Sequence, residues 1–367
     1  MRRIAIVTTT INIPKFLIEL SRNALSYKHS NLYFYIIGDK KTPKSIVSFL
    51  NKLKKQFPYK YYYLGIKDQE KRLSNKKKLL KIMPYNSGAR KLLGNFIAYK
   101  DGADLVIQID DDNFVQKSDF IGEHSLVDRR KKIKLFKSKS GWYNIYEQLN
   151  EKNNIPFYPR GFPWSKRQYL LKSKNIKVRK ESKKIVLING LVLEDPDVDA
   201  ISRLFWPIRV VSSKNKLTSN FGLYPGTWSS FNNQNTSTSR ELTSVFFTPV
   251  AAGRNSDIWT SYVMCKLVET SKDVIAFGAP YVKQYRNPHN LWVDLQDELP
   301  NNLLTDYFVN LLFSIKLKKE NYMDMLLTLI EKSLNKIEKE KKLKKNEKNI
   351  LSGYFKEYKI WALSIKE

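Results

Sequence analysis

The chain has one cysteine, Cys265, and three histidines among 367 residues. A lone cysteine excludes an intrachain disulfide and any cysteine-built zinc site, and a reducing compartment is the simplest expectation. His29, His124 and His289 are far apart in sequence and none forms a His-x-x-His-type pair, which argues against a zinc hydrolase. Long apolar runs are missing as well. Nothing approaches the ~20 apolar residues of a membrane span. The start, MRRIAIVTTTINIP, carries too short an apolar core for a secretory signal. The expected location is the cytoplasm, either free or peripheral at the cytoplasmic membrane.

Glycine signatures are also absent. No Gly-x-x-x-x-Gly-Lys-Ser/Thr loop, Gly-x-Gly-x-x-Gly fingerprint or Gly-x-Ser-x-Gly elbow occurs, against a P-loop NTPase, a dinucleotide oxidoreductase and an α/β-hydrolase. Acidic residues are scarce: 35 Asp+Glu face 65 Lys+Arg, a formal charge of +30. Such an excess attracts polyanions such as anionic lipid or phosphorylated ligands, and a Lys, Ile and Asn-rich genome composition produces the same balance. No zinc-finger spacing, RNP-like aromatic motif or helix-turn-helix pattern accompanies it, so nucleic acid is not the expected partner.

What is present is a large apolar share, 42% hydrophobic and 13% aromatic, incompatible with a disordered chain. Apolar runs alternate with helical patterns through the first third. Strands are expected at Ile4 to Thr10, Asn31 to Asp39, Tyr59 to Leu64 and Asp104 to Ile109. Helices are expected from Pro14 to about Tyr27, from Thr42 (as N-cap) to Phe57 and from Ser87 to Lys100. This alternation predicts an α/β fold with a mostly parallel central sheet, whose ligands bind beyond the carboxyl ends of the strands. Residues 115 to 184 read as basic and irregular, and from Leu303 onward the pattern is helical.

The fourth strand runs into Asp110, Asp111 and Asp112. Carboxylates crowded at a strand end repel one another unless they are solvated, protonated or sharing a cation. Mg²⁺ or Mn²⁺ takes oxygen ligands, commonly a carboxylate or two plus substrate phosphates. An Asp-x-Asp at this place therefore points to metal-diphosphate chemistry, against the alternative of a solvated acidic turn.

The ordered pieces VTTTINIP, IIGDKKTP, MPYNSGARKLLGNFIAYKDGAD, IDDDN, PRGFPW, PGTWSSFNNQNT and GRNSDIWTSYV resemble those of the STELLO-type glycosyltransferases. They are more distantly similar to the reversibly glycosylated polypeptides, which include UDP-arabinopyranose mutases. The resemblance covers about residues 4 to 295 and implies a GT-A nucleotide-diphospho-sugar transferase fold. It implies a domain over 1–300, with a nucleotide-binding half at 1–115 and an acceptor half at 185–300, and leaves 301–367 as a helical basic extension.

The same resemblance implies residue roles. Thr8, Thr9 and Thr10 would cradle base and ribose, with Gly38 and Asp39 at the end of the second strand. Asn86 and Arg90 would grip the diphosphate or base edge, although Lys91 beside Arg90 keeps plain surface solvation open. Asp110 and Asp112 would hold Mn²⁺ or Mg²⁺, and Asp111 would contact ribose or the ion. His289 stands near the place of a metal-ligating histidine in the mutases, where Tyr281 is followed here by Val282, Lys283 and Gln284. Arg160 and Arg167 lie in RGFPWSKR, similar to a mutase segment whose last arginine is self-glycosylated; a basic loop over the phosphates is the plainer reading. Asp257 would take the acceptor's proton, against an alternative role as a first-turn acid. Asn232, Asn233, Gln234, Asn235 and Arg254 would bind the acceptor. Asp195, Asp197 and Asp199 form a second acidic cluster, for acceptor binding or Asp-Pro turns.

The implied activity is metal-dependent transfer of a sugar, most simply UDP-linked, to a glycan or lipid-linked glycan acceptor in surface polysaccharide synthesis. A UDP-sugar pyranose/furanose mutase and a non-catalytic scaffold are the rivals. The closing YFKEYKIWALSIK mixes aromatics with lysines, as a docked helix or a peripheral helix on an anionic membrane does.

Overall fold

The computed structural model describes residues 2–167, 176–214, 220–286 and 289–367. The first third folds as its periodicity dictates: β1 (Ile4–Thr10), α1 (Phe16–Ser26), β2 (Leu32–Gly38), α2 (Ile46–Gln56), β3 (Lys60–Leu64), α3 (Lys91–Lys100) and β4 (Leu105–Ile109). These strands lie in the order β3-β2-β1-β4, all parallel. Alternate residues of β1 enter opposite cores, Ala5 and Val7 on one face and Ile4 and Ile6 on the other. A strand covered on both faces needs apolar residues at both parities, which is why these runs are nearly continuous.

Beyond β4 the sheet becomes mixed. It adds β5 (Asn113–Val115), β6 (Arg129–Ser138), β7 (Leu149–Glu151), β8 (Ile176–Glu194), β9 (Val210–Ser213), β10 (Phe221–Leu223), β11 (Asn235–Ser239) and β12 (Val274–Gln284), completing a 12-stranded sheet. The α/β class is as expected, with the parallel part confined to one half. β11 runs antiparallel between β4 and β8, so β4 and β8 point the same way.

Two local expectations are corrected. The stretch 115–184 is not irregular where described: β6 pairs antiparallel with β8 from Arg129↔Ile185 to Ser138↔Ile176. Lysines and arginines occupy most of its positions on both faces, so only Ile133 and Leu135 betray the period of two. Residues 168–175 of that stretch lie outside the described residues. Thr42 does not cap α2, whose N-cap is Ser45 without a side-chain bond. Instead Thr42 Oγ1 donates to the Thr10 carbonyl at 2.6 Å and accepts from the Asp39 amide at 2.7 Å, joining the ends of β1 and β2.

The helices α4 (Ser256–Ser271), α5 (Leu291–Ser314), α6 (Tyr322–Lys339) and α7 (Lys345–Lys366) cover one face. Residue 300 falls inside α5. Trp259 stacks on Phe308 at 4.3 Å, and Trp361 stacks on Phe247 at 4.9 Å. Trp361 Nε1 donates to the Ser244 carbonyl, and Tyr358 Oη to that of Val245. The aromatics of the closing helix thus lie in the same apolar core as β1 and β2, not on the outside.

Candidate active site

After β1 the chain moves to β2 and β3, then returns to β4 on the other side of β1. Such a switch in strand order opens a crevice at the carboxyl ends of the strands. A cavity of about 830 Å³ lies along this edge.

One wall is the start of a helix. Asn86 takes a left-handed φ of 51°, and Ser87 Oγ accepts the Ala89 amide at 3.2 Å, capping the turn Gly88–Arg90 that continues into α3. Asn86, Ser87, Gly88 and Ala89 all line the cavity. The positive end of the helix dipole therefore faces it. Lys91 is buried just inside, with Nζ 2.5 Å from Asp110 Oδ1 and 2.8 Å from the Asn233 carbonyl.

Opposite stand the acids after β4. The Asp110 amide donates to the Gln234 carbonyl at 3.0 Å, pinning the triplet to the loop before β11. Asp112 Oδ2 accepts from Gln284 Nε2 at 3.0 Å, whereas its Oδ1 is buried with no hydrogen-bond partner. Burial, and then the neighbouring Asp110 charge, push the Asp112 carboxyl up to about 6. Asp111 turns away from the cavity, its Oδ2 2.5 Å from Thr10 Oγ1; burial raises its pKa and Thr10 opposes the rise.

A carboxylate oxygen buried without a donor calls for a cation. Asp112 Oδ1 with the adjoining Asp110 carboxylate would suit a hard divalent ion, which takes oxygen ligands. Among the described residues no group of three or more His, Cys, Asp or Glu could hold an ion unaided. His289 lines the cavity, with Nδ1 3.4 Å from Asp294 Oδ2.

The far wall is an ion-pair network. Buried Arg160 places Nε 2.9 Å from Asp197 Oδ1 and Nη2 3.0 Å from both oxygens of Asp257. Burial would raise both carboxyls. For Asp197 the guanidinium outweighs burial and holds the group well below the carboxylate range, whereas Asp257 stays raised. Asp257 sits in the first turn of α4, where the helix dipole favours an acid. Asn232 Nδ2 donates to Asp197 Oδ2, and Gln234 Nε2 to Gln284 Oε1. Arg254 reaches Asp294 and Glu298 of α5 at 3.0 and 3.4 Å. Arg286 has Asp195 and Asp197 only at 3.6 and 3.7 Å, and its Nε is buried without a hydrogen bond.

The structure therefore brings together Asn86, Asp110, Asp112, Arg160, Asn232, Asn233, Gln234, Arg254, Asp257 and His289. Other singled-out residues support this set from behind. Thr8 and Thr9 turn their hydroxyls to the Thr9 and Ile37 carbonyls. Gly38 leaves room for the Tyr63 ring, whose hydroxyl would lie 2.5 Å from an added Cβ. Asp39 Oδ2 accepts the Ser87 amide at 3.3 Å, bracing the capping turn. Arg90 does not face the cavity: its guanidinium is buried against Gln69 Oε1 and the Met83 carbonyl, beneath the Tyr85 ring. Arg167 binds Asp199 and packs over Trp164, away from the cavity. Asn235 lies beneath it, bonded to His124. Of the second acidic cluster only Asp197 reaches the cavity; Asp195 pairs with Arg203, and Asp199 caps the helix Ala200–Phe205.

Lys91, Gln284 and Arg286 are cavity residues that sequence reasoning did not select. Lys91 directly follows Arg90, and one step along a helix turns a side chain through about 100°. Gln284 and Arg286 carry no sequence signal that sets them apart.

No family model matches the chain, and no curated protein sequence matches it. Among solved structures, S. aureus TarS 1–349 in complex with UDP-GlcNAc is similar at 11% identity and TM-score 0.36, over 97% of this chain and 72% of that one. The mannosyltransferase PcManGT from Pyrobaculum calidifontis, in complex with GDP-Man and Mn²⁺, is similar at 11% identity and TM-score 0.38, over 99% and 74%. Likeness at that level does not decide chemistry, which rests on the side chains of this cavity.

Proposed function

We propose that the chain is a GT-A-type glycosyltransferase that moves a sugar from a nucleoside diphosphate donor, UDP-linked in the first instance, to a glycan hydroxyl. One observation carries this reading: a helix N-terminus, Lys91 and Arg286 line one cavity with Asp110, Asp112 and Asp257, and Lys91 bonds Asp110. Cations beside carboxylates suit a ligand that is itself anionic and bridged by a metal ion. A nucleoside diphosphate meets both conditions.

Asp112, with Asp110, would hold Mn²⁺ or Mg²⁺. When bound, such an ion neutralises the diphosphate and makes it a better leaving group. Lys91 and the Gly88 amide bind the phosphate oxygens, and Arg286 offers a fork for a second set. Asn86 and the Asp39-braced turn hold the nucleoside end.

Asp257 receives the acceptor proton. The acceptor oxygen bonds to the anomeric carbon, the bond from that carbon to the diphosphate oxygen breaks, and its electron pair leaves with the diphosphate. A carboxyl raised by burial is a stronger base than a solvated one, and Arg160 fixes its orientation. Asn232, Gln234 and Arg254 line the acceptor side.

The test is nucleoside diphosphate release from a panel of nucleotide sugars with Mn²⁺, in wild type and Asp112→Asn. Release that is abolished by chelation and by the substitution is expected. If no donor releases diphosphate and none raises the melting temperature, the proposal fails.

A further inference from the structure

The outer face of α5 exposes large apolar side chains, beside Gln296 and Asn310, where a surface helix is normally polar. Trp292, Leu299 and Leu303 follow one another at helical spacings of seven and four, on one side of the helix. They are 70%, 46% and 74% exposed. Phe205, 78% exposed, ends the neighbouring helix Ala200–Phe205, and Trp164, 44% exposed, opens the turn Trp164–Arg167.

These segments lie side by side, because bonds join each to the next. Glu298 of α5 accepts the Ala200 amide at 2.8 Å, Asp199 binds Arg167 at 2.5 Å, and Asp306 of α5 accepts from Ser165 Oγ at 2.6 Å. A contiguous exposed cluster with two tryptophans is uncommon on a monomer and marks an interaction site.

We infer that this face docks the protein on an anionic bilayer surface. Tryptophan, phenylalanine and leucine on one helix face are the side chains that enter the boundary between headgroups and acyl chains. The whole-chain charge of +30 draws the protein to anionic lipid and repels a second copy, which favours a membrane over self-association, although α5 itself carries Asp294, Asp297, Glu298 and Asp306 and neither lysine nor arginine. No helix among the described residues is long and apolar enough to cross a membrane, so the contact is peripheral. The closing helix does not supply it, since Tyr354, Tyr358 and Trp361 are buried.

The position gives the contact a purpose. The same helix sends Asp294 and Glu298 inward to Arg254, while Asp297 and His289 line the cavity. A bilayer against its outer face lies beside the acceptor side, where a lipid-carried acceptor is held. That last step rests on the proposed transfer reaction, whereas the docking itself does not.

The experiment is vesicle flotation with the full chain, using phosphatidylglycerol-rich and pure phosphatidylcholine vesicles. Wild type is compared with the combined variant Phe205→Ser, Trp292→Ser, Leu303→Ser. Wild type is expected to float with the anionic vesicles, and the variant to partition at least roughly tenfold less, with unchanged melting temperature and nucleotide binding. Because these side chains are exposed, the variant should fold; the single change Trp292→Ser gives a second, intermediate reading. Three results would overturn the inference: wild type that does not float, a variant that floats equally well, or light scattering that shows a wild-type dimer made monomeric by the variant.

Discussion

Arg160 Nη2 lies 3.0 Å from both carboxylate oxygens of Asp257, while Nε of the same guanidinium holds Asp197 at 2.9 Å. One buried cation thus links the loop before Trp164, the segment after β8 and the start of α4, and it aims the acid assigned to the acceptor.

Replacing Arg160 by methionine leaves two buried acids without their cation. Removing one partner of a buried pair costs about 3–5 kcal/mol. Urea unfolding of Arg160→Met should show a loss of that order, and Arg160→Met with Asp197→Asn should recover part of it. A loss under about 1 kcal/mol would show that the network is solvated.

Asp257→Asn keeps the shape of the side chain and removes the base. Turnover should fall by roughly 10²–10⁴, with the donor dissociation constant changed by less than about threefold. Wild-type turnover should rise with pH through the raised pKa of this carboxyl, and the variant should lose that limb. Equal losses in donor affinity and turnover would place Asp257 on the donor instead.

Asp112 must be ionised to hold a cation, yet its carboxyl is pushed up to about 6. Below that value protons compete with the ion, so Mn²⁺-dependent nucleotide affinity should drop by about tenfold per pH unit from pH 6 downward and be flat above. Calorimetry at pH 5, 6 and 7.5 measures this. Flat affinity across the range would detach Asp112 from the ion.

His124 is buried and neutral, its ring nitrogens 2.8 Å from Ser237 Oγ and 3.0 Å from Asn235 Oδ1, and burial pushes it down to about 4. The folded pKa is depressed, so the unfolded chain takes the proton first as pH falls. Stability present above about 6.5 is lost progressively toward 4, by roughly 3 kcal/mol in all. Thermal melts between pH 7 and 4 should show this loss, and it should be much reduced in His124→Gln.

The first four strands were legible because burial on both faces leaves unbroken β-rich apolar runs, as in Ile4–Thr10 and Leu105–Ile109. β6 was not, since lysines and arginines occupy positions on both of its faces and hide its alternation. Among site residues, acids stand out in a chain with 35 against 65 basic residues, and Asp110, Asp112 and Asp257 reach one cavity from distant segments. The same excess hides the useful cations. Arg90 and Lys91 differ by one helical step, and only the three-dimensional fold shows that Lys91 faces Asp110 while Arg90 is buried against Gln69. The aromatics of α7 matched two patterns, a membrane face and a core face, until the partners Phe96 and Phe247 were in view.

The most direct measurement of the central claim is calorimetric titration of UDP and GDP, with and without Mn²⁺, into wild type, Lys91→Met and Asp112→Asn. Binding of one nucleotide that requires Mn²⁺, is lost in Asp112→Asn and is weakened roughly 10–100-fold in Lys91→Met is the predicted result. Binding that ignores both the ion and the two substitutions would contradict it.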